Sequence, residues 1–193
     1  MVDGLASHPP GQPLPRGRHG RTTGPAGLRL ACRDARVGTI AARRGAAAAV
    51  ADRLRDLVGV APVDRPVAVA AGTTTFVGTA PGRWTVVSEA ADVEAQFGLL
   101  GDQAAVVDQT GGMVIYEAAG PALGDVLAAL TAVDLHPSVF PLGSALTTTV
   151  AHIGVTAWGE AADRWIFLVG RSFALAFERA MVATAAAHGI ELA

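Results

Sequence analysis

Two segments in the C-terminal third of the chain hold residue types that could do chemistry. The first, DLHPSVFPLG, runs from Asp134 to Gly143 and places a histidine beside an acid, and the second, WIFLVGRSF, contains Arg171. A histidine near a carboxylate can move protons, and an arginine can bind an anion. The segments contain no paired carboxylates, no metal-ligand spacing and no phosphate-binding glycine loop. We therefore predict no catalytic, cofactor-binding or metal-binding residue in this chain, and interpret both segments as a shaped surface of a larger assembly.

Four side chains of these segments are candidates for a subunit interface: Asp134, His136, Phe140 and Arg171. Each also has an explanation within its own domain. The Asp134 carboxylate could close an Asx turn, and the His136 ring could bond within the loop or reach a partner. Phe140 is predicted to fill the core rather than to form a ligand platform. Arg171 could make an internal salt bridge or lie at a protein contact, where arginine is enriched.

The remaining polar residues do not form a recognisable site in the sequence. The other histidines show no metal-ligand spacing, no GxSxG or GxGxxG pattern is present, and the serines at 88, 144 and 172 have capping or turn explanations. Asp108 with Gln109, at the end of a predicted strand, could mimic the pterin-binding acid of a folate enzyme. No second acid or arginine can be assigned beside Asp108 from the sequence.

Composition and charge restrict the classes of function. The chain has 193 residues, 51% of them hydrophobic, and a single cysteine, Cys32, which permits no internal disulfide. Residues 1–55 carry net charge +7 and the remainder −9, but the first 55 residues contain no aromatic residue, which argues against nucleic-acid binding. No apolar run is long enough to span a bilayer, and the N-terminus lacks the apolar region of a signal peptide. We expect a cytoplasmic protein with no membrane partner.

The elements that position these residues follow from the hydrophobic pattern. Residues 1–24 are rich in Pro, Gly and Arg and are predicted to be a flexible tail, whereas 25–193 are predicted to form a single domain. Within this domain, strands and helices recur in two series of the same order: strand, helix, strands, helix. The predicted strands are 36–42, VAVAA, TTTFVG, RWTVVS, AAVVDQT, MVIYEA, a hairpin of LTTTVAHI and VTAWGE turning near Gly154, and RWIFLV.

Four helices are predicted between these strands. One opens at Gly45, one carries Val93 and Phe97 after a Ser88 cap, and one carries an apolar stripe from Leu123 to Leu130. A last helix is capped by Ser172 and has Phe173, Phe177, Ala180 and Met181 on one face. The pattern predicts an α+β fold of two split βαβ-like, ferredoxin-like halves.

The segment from Gly120 to Gly143, GPALGDVLAALTAVDLHPSVFPLG, resembles the gamma subunit family of heterotetrameric sarcosine oxidase. Further matches are PGRWTVV around Trp84, VVDQT around Asp108, and the aliphatic strand that leads into RSF. The resemblance covers roughly residues 28–189, and the combination of DLHPxxFP with a distant RSF is its most specific part. The chain departs from the family pattern at Ala132-Val133, where Cys-Pro is usual, and at Arg83, where an acid is usual.

This resemblance implies a fold like the folate-binding domain of aminomethyltransferases. It also implies a non-catalytic subunit that supports assembly of a complex with alpha, beta and delta subunits. Such a complex oxidatively demethylates sarcosine to glycine, and yields hydrogen peroxide and either formaldehyde or methylenetetrahydrofolate. FAD, FMN, NAD, tetrahydrofolate and zinc would be held by the partner subunits. The alternatives are a stand-alone tetrahydrofolate-binding, aminomethyltransferase-like protein and a small regulatory or self-assembling domain.

Overall fold

The computed structural model describes residues 12–89 and 92–193. Their contacts group them into two compact units. We call the first the terminal unit, because it contains the described residues up to Arg33 together with Val114–Leu142 and Thr147–Ala193. The second, the middle unit, contains the described residues of Asp34–Met113 together with Gly143–Leu146. The prediction of a single domain over residues 25–193 stays a prediction.

Strands and helices alternate along the described residues. The strands are β1 (Gly17–His19), β2 (Leu28–Arg33), β3 (Arg36–Ala42), β4 (Ala68–Ala71), β5 (Thr74–Ala80), β6 (Arg83–Ser88), β7 (Ala104–Asp108), β8 (Met113–Ala119), β9 (Ala145–Val150), β10 (Ile153–Ala161), β11 (Arg164–Gly170) and β12 (Ile190–Leu192). The helices are α1 (Ala47–Val58), α2 (Val93–Phe97), α3 (Leu123–Leu130) and α4 (Ala174–Ala185). Short 3-10 turns lie at Gly98–Gln103, Thr110–Gly112 and Arg171–Phe173.

The middle unit is a split βαβ sheet. Its described strands run in the order β4-β5-β6-β3-β7 with antiparallel neighbours, so β3, β5, β6 and β7 have the 4-1-3-2 order of a ferredoxin-like fold. Helix α1 ends at Gly59, which adopts the left-handed conformation that favours glycine. Trp84, Val93 and Phe97 are fully buried in this core, where the Phe97 ring packs edge-on against Phe76 at 5.6 Å between centroids.

The terminal unit repeats this plan with two strands added, β1 and β2. Its described strands run in the order β1-β12-β2-β8-β11-β10-β9. Strands β8, β10, β11 and β12 again have the 4-1-3-2 order, but β2 is inserted between β12 and β8, parallel to the former and antiparallel to the latter. Its core contains Phe167 and Phe177, whose ring centroids lie 5.5 Å apart, and Tyr116 beside Phe177 at 5.2 Å. The prediction of two split βαβ halves in an α+β fold is confirmed.

Several local predictions were wrong. Strands β1, β2 and β12 were not predicted, and residues 17–19, assigned to the flexible tail, pair with β12. Residues 1–11 lie outside the described residues. Ser88 belongs to β6 and does not cap α2, whose cap is the Asp92 side chain. Likewise Ser172 lies in a 3-10 turn, and Phe173 precedes α4 and is exposed.

The hairpin between β9 and β10 turns earlier than Gly154. Ala151 and His152 form the turn with φ angles of 51° and 64°, so His152 is not in a strand. Left-handed residues at both central positions are typical of the type I′ turns that match the twist of paired strands. Alanine disfavours the left-handed conformation, so the pairing of the two strands must stabilise this turn.

Candidate functional site

The loop between α3 and β9 is ordered by its own polar groups. Asp134 Oδ1 accepts a hydrogen bond from the His136 backbone N–H at 2.9 Å, which confirms the predicted Asx turn. The His136 carbonyl oxygen accepts from the backbone N–H groups of Val139 and Phe140, both at 2.8 Å. Ser138 Oγ and the Ser138 backbone N–H lie 2.7 Å and 3.3 Å from His136 Nδ1. Asp134 and the His136 ring thus hold the shape of the loop.

The prediction that Phe140 fills the core was wrong. Its half-exposed ring stacks on Trp165 of β11 with 5.4 Å between centroids and 25° between planes. Gly159 on the neighbouring strand makes room for this pair, because a Cβ atom there would lie 3.1 Å from Trp165 Nε1. The two rings form one wall of a pocket.

The pocket has a volume of about 590 Å³ and lies entirely within the terminal unit. That volume is within the range of about 300–1,000 Å³ that is usual for ligand sites. Most of its lining is apolar, and the few polar side chains are Asp125, Thr131, Asp134 and His136. The remaining lining residues are Leu123, Gly124, Leu127, Ala128, Ala132, Val133, Leu135, Pro137, Phe140, Pro141, Leu142, Gly159, Ala162 and Trp165.

Exposed apolar side chains concentrate on the same loop. Among the described residues, the large hydrophobic side chains that are exposed include Val133, Val139 and Leu142, and the last two are 63% and 64% exposed. Concentrated apolar exposure in a folded protein marks a contact site more often than scattered exposure does. The loop therefore presents an apolar rim as well as a lined pocket.

The other predicted site residues lie elsewhere. Arg171 is exposed in the 3-10 turn before α4 and is not among the residues that line the pocket. Asp108, in the middle unit, accepts a hydrogen bond from the Thr110 backbone N–H at 2.6 Å, and this bond holds the pKa of the Asp108 carboxyl below its usual value. Its own backbone N–H donates to Glu94 Oε1 at 3.0 Å. The Asp108 carboxylate thus orders the turn after β7, beside the Glu94 carboxylate and near Arg36.

A buried polar cluster in the terminal unit was missed by sequence reasoning. Glu178 on α4 is 5% exposed, and its Oε1 accepts from the Tyr116 hydroxyl at 3.2 Å and from Arg16 Nη1 at 3.1 Å. Partial desolvation and the Glu178 carboxylate raise the pKa of the Cys32 thiol, although the side chain is exposed. The available signal was the single acid of α4, Glu178, which lies one residue after Phe177 and three residues before Met181 on the apolar face of the helix.

The described residues contain neither a metal-binding group nor a membrane-spanning helix. Across residues 12–89 and 92–193, no three His, Cys, Asp or Glu side chains are grouped so that they could hold a metal ion. In the same part of the chain, no helix is both long and apolar enough to cross a bilayer. The pocket beside α3 is the candidate site.

Comparison with solved structures defines the fold. The chain is similar to a chain of heterotetrameric sarcosine oxidase from Corynebacterium sp. U-96, solved in complex with pyrrole 2-carboxylate, with a TM-score of 0.70 and 23% identity over 82% of this chain and 83% of that one. It is also similar to glycine cleavage system aminomethyltransferase T from Bartonella henselae, with a TM-score of 0.62 and 13% identity over 86% of this chain and 48% of that one. The protein has the α+β fold that these two share.

Sequence comparison identifies the family. The model of the sarcosine oxidase, gamma subunit family matches residues 39–187, and the chain belongs to this family. A relative from Corynebacterium sp. (strain P-1), named sarcosine oxidase subunit gamma, is 34% identical over 90 residues. That alignment spans 46% of this chain and 44% of the relative, so it covers less than half of the relative's length.

Proposed function

We propose that this chain is the non-catalytic gamma subunit of a cytoplasmic heterotetrameric sarcosine oxidase and supports assembly of the complex. The observation that carries the proposal is the family match over residues 39–187. In the proposed complex, sarcosine is oxidatively demethylated to glycine, with hydrogen peroxide and either formaldehyde or methylenetetrahydrofolate as the other products. FAD, FMN, NAD, tetrahydrofolate and zinc belong to the alpha, beta and delta subunits.

The candidate site supports an assembly role. Asp134 and His136 are occupied in ordering their loop, and Phe140 stacks on Trp165, so these groups shape a surface. The exposed apolar side chains of the loop would lose contact with water in a subunit interface. We include Asp134, His136 and Phe140 in that interface, and Arg171 as a separate exposed position on the same unit.

Coexpression with the alpha, beta and delta subunits tests the proposal. An affinity tag on this chain should recover a complex with flavin absorbance and sarcosine-dependent peroxide release, whereas the chain expressed alone should be colourless and inactive. The matched control is coexpression of the three partner subunits without this chain, which should give less of the stable complex. A protein that stays monodisperse and never associates with the flavoprotein subunits would contradict the proposal.

A tetrahydrofolate titration of the isolated chain distinguishes the subunit proposal from the main alternative, a stand-alone tetrahydrofolate-binding protein. The subunit proposal predicts no saturable binding, measured by isothermal calorimetry. Tight binding by the isolated chain would instead support a stand-alone aminomethyltransferase-like protein.

A further inference from the structure

The pocket beside α3 combines an apolar interior with a rim of one charge. Leu123 and Leu127 of α3 are buried side chains that line it, and the stacked rings of Phe140 and Trp165 form a wall. Burying an apolar side chain against such a surface is favourable roughly in proportion to the apolar area removed from water. The interior of the pocket would therefore bind an apolar side chain of the occupant.

The charged side chains that line the pocket are carboxylates. Asp125 lies in the first turn of α3 and Asp134 begins the ordered loop, whereas no arginine lines the pocket, and lysine is absent from the sequence. Within the described part of the chain, the Asp125 carboxylate has no hydrogen bond or ion pair, and Asp134 uses only Oδ1. Two carboxylates without a neighbouring cation favour an occupant that carries positive charge.

The exposed loop side chains favour a protein segment over a small molecule. Val139 and Leu142 are more than half exposed on the outer part of the loop. A small molecule held inside the pocket would leave them in water, whereas a polypeptide crossing the rim would cover them as well. Aromatic and arginine side chains are also the commonest anchors of protein interfaces, and a stacked aromatic wall can accept either.

We infer that the pocket receives a segment of a partner subunit in which an apolar anchor is flanked by an arginine or lysine. This inference rests on the proposed function, and it specifies the partner's chemistry. The anchor occupies the space between α3 and the Phe140–Trp165 wall. The cation pairs with the Asp125 carboxylate, and Asp134 adds a second negative charge to the lining of the same pocket.

Filling the pocket tests where the segment docks. Ala128 and Ala129 are neighbouring exposed residues in α3, but only Ala128 lines the pocket. Ala128→Trp should weaken association of the chain with the purified alpha, beta and delta subunits by at least about tenfold, as occlusion of an interface anchor site does. Ala129→Trp, the matched control, should associate as the wild type does, and circular dichroism with thermal unfolding should show that both variants are folded.

Reversing one charge tests the cation. Asp125→Lys should weaken association by about tenfold and make it less sensitive to added salt. Asp102→Lys, at an exposed acid of the middle unit, should change neither property. A photo-cross-linking benzophenone residue at position 142 should capture a partner peptide that contains an apolar residue beside Arg or Lys, whereas one at exposed Leu99 should not capture that peptide.

The outcomes separate this inference from the proposed function. If the wild-type chain associates and Ala128→Trp associates equally well, the docking inference is wrong and the subunit proposal stands. A captured peptide without a cation, or an Asp125→Lys variant of unchanged affinity, overturns the charge pairing. If the wild-type chain does not associate with the partner subunits at all, both are wrong.

Discussion

The buried cluster around Glu178 shows how single residues set the response of the protein to pH. Burial and the Glu178 carboxylate raise the pKa of Tyr116 above its usual range, because ionised Tyr116 would place a second negative charge beside the first. Burial and the Glu178 carboxylate also raise the pKa of the Cys32 thiol. The positive charge of Arg16 acts in the opposite direction and lowers the pKa of both groups. In the unfolded chain, tyrosine ionises near pH 10 and cysteine near about 8.5.

Alkaline pH should therefore destabilise the protein through Tyr116. Below about pH 10 both states keep the phenol proton, and above it the unfolded state releases the proton first, so the free energy of unfolding falls as pH rises. In a Cys32→Ser background, which removes the thiol, Tyr116→Phe should reduce this fall, measured by urea unfolding at several pH values. Because Tyr116 is the single tyrosine, near-UV tyrosinate absorbance gives an independent titration. Equal pH dependence with and without the hydroxyl would contradict the assignment.

Residue roles were predictable only where the bonding is local. The Asx turn of Asp134 spans two residues, and the pattern Asp-Leu-His-Pro was enough to predict it. The Tyr116–Glu178 contact joins residues 62 positions apart, and the stacking of Phe140 on Trp165 depends on Gly159 of a neighbouring strand. These contacts exist only after the sheet has formed, so the sequence pattern assigned Phe140 wrongly to the core.

Secondary-structure elements that pair with a close neighbour in sequence were predicted well. Strands β5 and β6 form a hairpin, and their alternating apolar residues predicted both. Strand β1 was missed because its partner β12 lies near the other end of the chain. The α2 cap was missed because Ser88 uses its hydroxyl within the sheet, 3.2 Å from that of Thr74. Long-range pairing thus explains the main errors at this scale.

Substitutions in the turn between β9 and β10 should stabilise the protein. Ala151 and His152 adopt left-handed φ angles that asparagine and glycine tolerate better. The double substitution Ala151→Asn/His152→Gly should raise the free energy of unfolding by about 1 kcal/mol, because it removes the steric cost of a Cβ atom and supplies the preferred turn sequence. Urea unfolding measures the change. As the opposite case, Ala151→Val should destabilise, and a neutral effect of valine would show that the turn is not left-handed at this position.

At the scale of the whole chain, the two units share one strand order but differ in the strands added to it. The recurring order of strands and helices in the sequence was enough to predict two split βαβ halves. The position of β2 between β12 and β8 could not be predicted. The hydrophobic pattern of a strand does not show which strands lie beside it in the sheet. The family resemblance depended on short motifs around the loop and Trp84.

The N-terminal segment from Gln12 to His19 is part of the terminal unit. Leu14 is 4% exposed, the Gln12 carbonyl oxygen accepts from Arg179 Nη2 at 2.9 Å, and Arg16 bonds to Glu178. Strand β1 also pairs with β12, so among the described strands β12 would become a sheet edge if β1 were removed. Removing this segment would expose apolar surface, the Glu178 carboxylate and unpaired backbone groups together.

Two truncations should therefore differ in stability. Deleting residues 1–19 should lower the free energy of unfolding by about 2 kcal/mol, from lost apolar burial and a lost hydrogen bond to a charged group. It should also increase self-association, since an unpaired strand edge can pair with another copy. Deleting residues 1–11, which keeps the 12–19 segment, should leave the protein more stable and less prone to self-association than deleting residues 1–19. Urea unfolding and light scattering measure both effects, and equal behaviour of the two truncated proteins would mean that the 12–19 segment does not stabilise the terminal unit.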